Sequence, residues 1–165
     1  MKNVQAAASF ILAPLFCVGI LSHMTYVGIG DWDYHQSWSL AAYRSVWEFG
    51  QFPMWNPWHC GGMDFVENPL SRVISPSFIF ILLFGADWGN RIWTVLVLAL
   101  GFEGSRRLLM SCGASKSAAW GLALLVNYHG GTLLHLINGH LIHLPILLLP
   151  WWFLALSKAF KGRLK

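Results

Sequence analysis

The sequence predicts an all-α integral membrane protein with about four transmembrane helices, and three observations support this fold class. Hydrophobic residues make up 56% of the 165 residues and charged residues only 11%, and the mean hydropathy is +0.52. Basic residues occur in short groups at the ends of apolar runs, as the positive-inside rule predicts. A polar, aromatic and turn-rich segment, residues 30–76, lies between the apolar runs. An ordinary soluble domain does not have this composition.

The first predicted transmembrane helix covers residues 4–28, which is close to the ~20 residues that a hydrocarbon core requires. Pro14 is expected to kink this helix. Lys2 precedes the apolar run, a pattern that fits a cleaved signal peptide or a retained anchor. Because the run is long for a signal peptide and no small-x-small cleavage site follows it, we expect a retained anchor.

The main loop is predicted to begin with an interfacial amphipathic helix over residues 34–49. Projection at about 100° per residue places aromatic and aliphatic side chains on one broad arc. The opposite, water-facing side carries Ala41 and Ser45 together with Arg44 and Glu48, which are spaced for an i,i+4 ion pair. The helix is therefore expected to lie in the membrane interface.

After this helix, prolines and glycines recur, so residues 51–76 are predicted to form an ordered loop without helix or strand. The aromatic residues of this loop argue against disorder. The apolar stretch that follows, residues 77–86, is too short to span a bilayer. It is predicted to form a short re-entrant or interfacial helix.

Three further transmembrane helices are predicted over residues 90–110, 116–131 and 139–157, followed by a basic tail at residues 158–165. Glu103 is expected to pair with the arginines three and four residues after it, within the same helix. The basic groups then place both termini in the cytoplasm and the main loop outside, in a multi-pass protein of the inner (plasma) membrane.

The net charge of +4 does not indicate a nucleic-acid partner, because the basic residues lie at the ends of apolar runs. Cys17, Cys60 and Cys112 lie in an apolar run, the main loop and a basic turn, respectively. Three cysteines in such different segments do not form a disulfide framework. Because the basic residues lie at the ends of apolar runs, the expected partner of the chain is the lipid bilayer.

Asp31 and Asp33 are the first candidate catalytic residues, because they directly follow the first helix where the chain leaves the membrane. Two carboxylates at this spacing can provide a general base with a supporting group, or they can coordinate a cation. They can also be ordinary polar residues at the membrane boundary. The spacing alone leaves these interpretations open.

Four side chains of the main loop are potential metal ligands: His35, His59, Cys60 and Asp64. They lack the CxxC or HxxxH spacing that is typical of metal sites, so the sequence does not favour one. Three other histidines gather at the outer ends of the third and fourth helices: His135, His140 and His143. This group could relay protons, contact a substrate or form hydrogen bonds at the interface.

Trp55 and Asn56 lie in an aromatic stretch that could pack on the apolar face of a sugar or form an aromatic belt at the headgroup level. Arg72 and Arg91 are the cations of the outer side beyond the amphipathic helix. Each could hold a phosphate through bidentate contacts or extend to the interface. These four residues are candidate substrate-binding residues, as is His140.

The chain carries an ordered series of motifs: Gly30-Asp31, GQFPMWNP at 50–57, Gly61-Gly62, NPLS at 68–71, Pro76 and NGHL at 138–141. In this order, between membrane helices, the motifs resemble the N-terminal part of the polytopic GT-C-type glycosyltransferases, and most closely the bacterial YfhO-like membrane proteins. The FPxWNP block with an acid ahead of it is the most specific part of the resemblance.

The resemblance implies a transferase that takes a sugar from a polyprenyl-phosphate donor and passes it to a glycan or lipid acceptor on the outer face of the membrane. Asp31 matches the position of the family's catalytic base, and Asp33 is a second candidate. Some members of the superfamily use a divalent cation and others do not, so Mg²⁺ or Mn²⁺ stays open as a cofactor.

GT-C proteins have more membrane helices than the four predicted here. The resemblance therefore implies that this chain corresponds to an N-terminal portion and is incomplete as a transferase. The alternative is a non-catalytic membrane protein that binds a lipid-linked glycan or a partner membrane protein.

Overall fold

The computed structural model describes residues 2–17 and 30–163, and this part of the chain is mostly helical, as the sequence predicts. The helices are α1 (Lys2–Phe16), α2 (Trp32–Trp47), α3 (Ser77–Ser111), α4 (Lys116–Asn127), α5 (Gly130–Ile137), a 3₁₀ helix (Leu141–Leu148) and α6 (Leu149–Arg163). Much of the second half of the predicted first transmembrane helix lies outside the described residues.

Two helical stretches in the described part of the chain are long and apolar enough to cross a membrane: Ser77–Ser111 and Leu141–Phe160. In the second stretch, only 17% of the apolar 18-residue window is buried inside the protein. Trp152 and Phe153 of α6 are both exposed. So much exposed apolar surface is unfavourable in water and favours a membrane environment. The arrangement with four spans stays a prediction.

The α3 helix contains the break that separates the two helices predicted for residues 77–86 and 90–110. At Gly85 the backbone has φ 79° and ψ 169°, which is not helical. A residue with a side chain rarely adopts this conformation, so glycine allows the chain to change direction here. The apolar stretch before Gly85 and the long helix after it are therefore distinct segments.

The α2 helix begins two residues before the predicted start and ends two residues before the predicted end. Its Arg44 Nε donates to Glu48 Oε2 at 2.8 Å, as the i,i+4 spacing predicts. The expected water-facing position of Ala41 and Ser45 is wrong, because both are buried. A helical projection sorts residues by polarity only. Ala41 and Ser45 have small side chains, so a neighbouring element can approach the helix closely there and bury them.

The core beside α2 is built from side chains that are far apart in the sequence. Trp38 of α2 packs with Phe65 of the main loop, with ring centroids 5.3 Å apart. Phe78 and Ile81 from the start of α3 belong to the same buried cluster. This packing fixes the main loop against two helices.

The prediction that residues 51–76 contain no strand is wrong. Trp55–Asn56 (β1) and Met63–Asp64 (β2) pair antiparallel, with Trp55 opposite Asp64. Strands of two residues are too short to show the alternation on which a strand prediction depends. The connecting turn contains three positive φ angles, at Cys60, Gly61 and Gly62.

The described residues divide into two compact units. The first unit contains residues 2–17, 95–134 and 143–163, and the second contains residues 30–94 and 135–142. Within the first unit, Glu103 accepts from Arg106 at 2.7 and 2.9 Å and from Arg107 at 2.6 Å. The predicted intrahelical pairing is therefore present.

Candidate functional site

An aspartate and a histidine from opposite ends of the second unit's sequence meet in space. Asp31 Oδ2 lies 3.1 Å from His140 Nε2, although the two residues are 109 positions apart. The Asp31 side chain is 59% exposed and that of His140 is 34% exposed. The site therefore combines an accessible carboxylate with an imidazole that is within hydrogen-bond distance.

His135 extends this pair, because its Nδ1 lies 3.1 Å from His140 Nδ1. If His140 Nε2 donates to Asp31, the neutral ring must accept at Nδ1, so His135 Nδ1 is the donor. Each hydrogen bond then has one donor and one acceptor. The resulting chain runs from His135 through His140 to the Asp31 carboxylate.

The backbone around Asp31 is held against the segment that carries His140. Asp31 N donates to Asn138 O at 2.9 Å, and the buried Trp32 donates from Nε1 to Leu136 O at 2.7 Å. Gly139 has φ 79°, and a Cβ atom built there would lie 2.6 Å from Trp32 N. The close approach therefore requires a residue without a side chain at this position.

No family model, curated protein or solved structure matches the chain. The assignment of chemistry to this site consequently depends on its geometry and on the motifs of the sequence.

Arg72 lies in a buried polar network of the second unit. Its Nη2 donates to Ser39 Oγ at 3.0 Å and to Asn90 Oδ1 at 2.9 Å, and Asn90 Nδ2 donates to Gln36 Oε1 at 2.8 Å. Burial lowers the pKa of Arg72 to about 10, so the guanidinium is still positively charged at neutral pH.

Two nitrogens of this guanidinium have donor capacity left. Nε and Nη1 of Arg72 are buried and have no hydrogen-bond partner among the described residues. Its backbone also has φ 55°, which is uncommon for a residue with a side chain. A buried cation with spare donors can stabilise an anion, although neighbouring side chains must move to admit it.

The other predicted site residues, Arg91, Asp33, Trp55 and Asn56, differ in burial and in hydrogen bonding. Arg91 Nε donates to Asp87 Oδ1 at 3.0 Å, and Asp33 is exposed in the first turn of α2. Trp55 is exposed, whereas Asn56 is buried and accepts a hydrogen bond from Trp58 N at 3.1 Å. The structure thus brings Asp31 and His140 together, and it gives Asn56 a role in the local turn.

The potential metal ligands of the main loop have structural contacts. The His59 ring packs on Tyr34 and Trp38, with centroids 5.2 and 5.1 Å apart. Asp64 Oδ1 accepts from Glu67 N at 2.7 Å, which closes a turn after β2.

The three histidines that the sequence groups together are divided between the two units. His143 belongs to the first unit, whereas His135 and His140 belong to the second.

The sequence did not reveal which residues position the site: Asn138 and Gly139 were named only as part of the NGHL motif, without a structural role. Asn138 and Gly139 form a dipeptide that is typical of turns, and this signal could have indicated a tight approach next to His140. Ser39 and Asn90 hold Arg72, and Asn90 is a polar residue at the beginning of an apolar run. An amide in that position is an indication of a buried polar network.

Proposed function

We propose that the chain is a membrane glycosyltransferase-like protein in which Asp31 accepts the proton of an acceptor hydroxyl. The contact between Asp31 Oδ2 and His140 Nε2 at 3.1 Å is the observation that carries this proposal. A general base needs an orienting partner and access to the hydroxyl that it deprotonates. Asp31 has both, because His140 holds one carboxylate oxygen and the side chain is largely exposed.

The proposed reaction transfers a sugar from a polyprenyl-phosphate donor to a glycan or lipid acceptor at the outer face of the membrane. The acceptor oxygen forms a bond to the anomeric carbon while the bond from that carbon to the phosphate oxygen breaks. The hydroxyl proton moves to Asp31, and the leaving phosphate keeps the electron pair. Configuration at the anomeric carbon inverts, because the acceptor attacks from the opposite side.

His140 acts as a positioning residue in this scheme. Its hydrogen bond orients the carboxylate, and because an ionised carboxylate can only accept, His140 carries a proton on Nε2. The leaving phosphate requires positive charge, and Arg72 is the candidate in the second unit because its guanidinium has spare donors. The two long apolar helices support a membrane location for the reaction.

The test is a transfer assay with the chain reconstituted in liposomes, a polyprenyl-phosphate-linked sugar and a glycan or lipid acceptor. We expect Asp31→Asn to reduce the rate by about 10²–10⁴-fold, because the amide has the same shape but cannot accept the proton. His140→Gln should reduce it less. Glu67→Gln is the matched control, since it removes an exposed carboxylate from the same loop.

Full activity of Asp31→Asn in an active parent would show that the base is assigned wrongly. If Asp33→Asn abolishes transfer and Asp31→Asn does not, Asp33 is the base. If the unaltered chain binds the donor but transfers no sugar, the result favours the alternative function of this chain, a non-catalytic membrane protein that binds a lipid-linked glycan.

A further inference from the structure

A small groove opens on the surface of the second unit, next to the end of α2. Its volume is about 250 Å³, and its walls are formed by Ser45, Phe49, Gln51, Trp55, Pro57 and Trp58. We call this cavity the aromatic groove. It is smaller than the roughly 300–1,000 Å³ of pockets that enclose drug-sized ligands, so it fits a ligand portion about the size of one ring.

The Trp55 wall of the groove is held in place by the hairpin. An ideal Cβ atom at Gly62 would lie 2.3 Å from the Trp55 ring, so the indole packs directly against the glycine backbone. The backbone of Trp55 is held by its pairing with Asp64 of the opposite strand. Trp55 nevertheless remains 55% exposed and has surface available for a ligand.

The Trp58 wall is also held by its neighbours. Phe49 packs beside the indole with ring centroids 5.9 Å apart, and the Arg44 guanidinium lies over it at 5.2 Å. Asn56 fixes the turn by accepting a hydrogen bond from Trp58 N at 3.1 Å. These contacts hold the Trp58 ring in place before any ligand binds, and 49% of its side chain remains exposed.

The chemistry of the walls selects a neutral ring that is apolar on its faces and polar at its edge. Aromatic faces attract C–H groups, and the exposed Gln51 side chain offers both a donor and an acceptor to hydroxyl groups. None of the six lining residues is charged. A cationic ligand is disfavoured, because the Arg44 guanidinium already occupies a face of the Trp58 ring.

A pyranose has these properties, with C–H groups on its faces and hydroxyl groups around its edge. We propose that the aromatic groove binds a pyranose ring of a neutral glycan. Trp55 and Trp58 provide the packing surfaces, Gln51 provides hydrogen bonds, and Asn56 positions Trp58. The groove does not depend on the transfer reaction, because a protein that binds glycans without catalysis would use it in the same way.

The first test measures binding of soluble neutral trisaccharides to the full chain in lipid nanodiscs. The probes are cellotriose, maltotriose, mannotriose and chitotriose, followed by saturation-transfer NMR and tryptophan fluorescence, with empty nanodiscs as the blank. We expect saturable binding of at least one probe and about tenfold weaker binding after Trp55→Ala. Trp152→Ala is the matched control, since it removes an exposed tryptophan from the other unit and should leave binding unchanged.

The second test moves Trp55 without removing it. Gly62→Ala places a methyl group against the Trp55 ring, whereas Gly61→Ala meets no atom within 4 Å. Both glycines have positive φ, 120° and 80°, so both substitutions strain the backbone. We expect Gly62→Ala to weaken trisaccharide binding about tenfold and Gly61→Ala to change it less than about threefold.

Two results would overturn the proposal. One is the absence of saturable binding of all four trisaccharides to the unaltered chain, and the other is equal binding by Trp55→Ala, Gly62→Ala and the parent. Circular dichroism establishes that each variant is folded. Gly61→Ala controls for backbone strain, because it also places a side chain at a positive φ but does not touch Trp55. The experiment does not read out transfer, so its failure leaves the proposed role of Asp31 to its own assay.

Discussion

Glu103→Gln is expected to lower the free energy of unfolding by about 3–5 kcal/mol, because it leaves the buried charge of Arg106 without its carboxylate. The side chains of Glu103 and Arg106 are only 3% and 5% exposed. Arg106 donates to both carboxylate oxygens, at 2.7 and 2.9 Å. Such a buried bidentate pair contributes little when intact but is costly to break from one side.

Denaturant unfolding in detergent micelles, followed by circular dichroism, measures this difference. Arg107→Gln is the matched control, because Arg107 binds the same carboxylate at 2.6 Å but its side chain is 50% exposed. Its loss should cost less than about 1 kcal/mol. Equal destabilisation by the two substitutions would contradict the assignment of the buried pair to Glu103 and Arg106.

Gly139→Ala is expected to lower the free energy of unfolding by about 2–5 kcal/mol and the rate of the proposed sugar transfer by about 100-fold. The left-handed conformation costs a non-glycine residue about 1–2 kcal/mol, and overpacking adds about 1–3 kcal/mol. The new methyl group would lie 2.6 Å from Trp32 N. Because Trp32 follows Asp31 and Gly139 precedes His140, the collision should separate the Asp31 and His140 side chains.

Gly50→Ala separates the collision from the backbone strain. Gly50 lies in the same unit and has φ 61°, but a Cβ atom there meets nothing within 4 Å. It should therefore show the conformational cost alone, about 1–2 kcal/mol, with transfer close to that of the parent. If Gly139→Ala behaves like Gly50→Ala in both measurements, the close approach does not position Asp31.

The contacts that the sequence predicts well are local. Arg44 with Glu48, and Glu103 with the two arginines after it, follow from the three- and four-residue spacing of a helix. The break between the short apolar segment and the long helix lies at Gly85, near the predicted boundary. These features depend on neighbouring residues only, so a single sequence contains the information.

The candidate site was predicted only as separate residues. Asp31 and His140 were both named from the sequence, but their contact joins segments 109 positions apart. The binding of Arg72 by Ser39 and Asn90 is likewise non-local. Polarity and spacing do not specify such contacts, because they result from the shapes of several elements packed together.

The sequence by itself determined that this protein is mostly helical and that its polar, aromatic residues concentrate in one loop. It predicted four transmembrane helices, whereas two helical stretches in the described part of the chain are long and apolar enough to cross a membrane. Helical period and hydropathy are properties of consecutive residues, so they can be identified without a fold. Only the tertiary structure decided that Asp31 meets His140, and that Ala41 and Ser45 are buried. It also decided that Trp55 and Trp58 line one groove. Each of these depends on which surfaces pack together, and packing depends on side-chain volume and close approach, which a pattern of polarity does not encode.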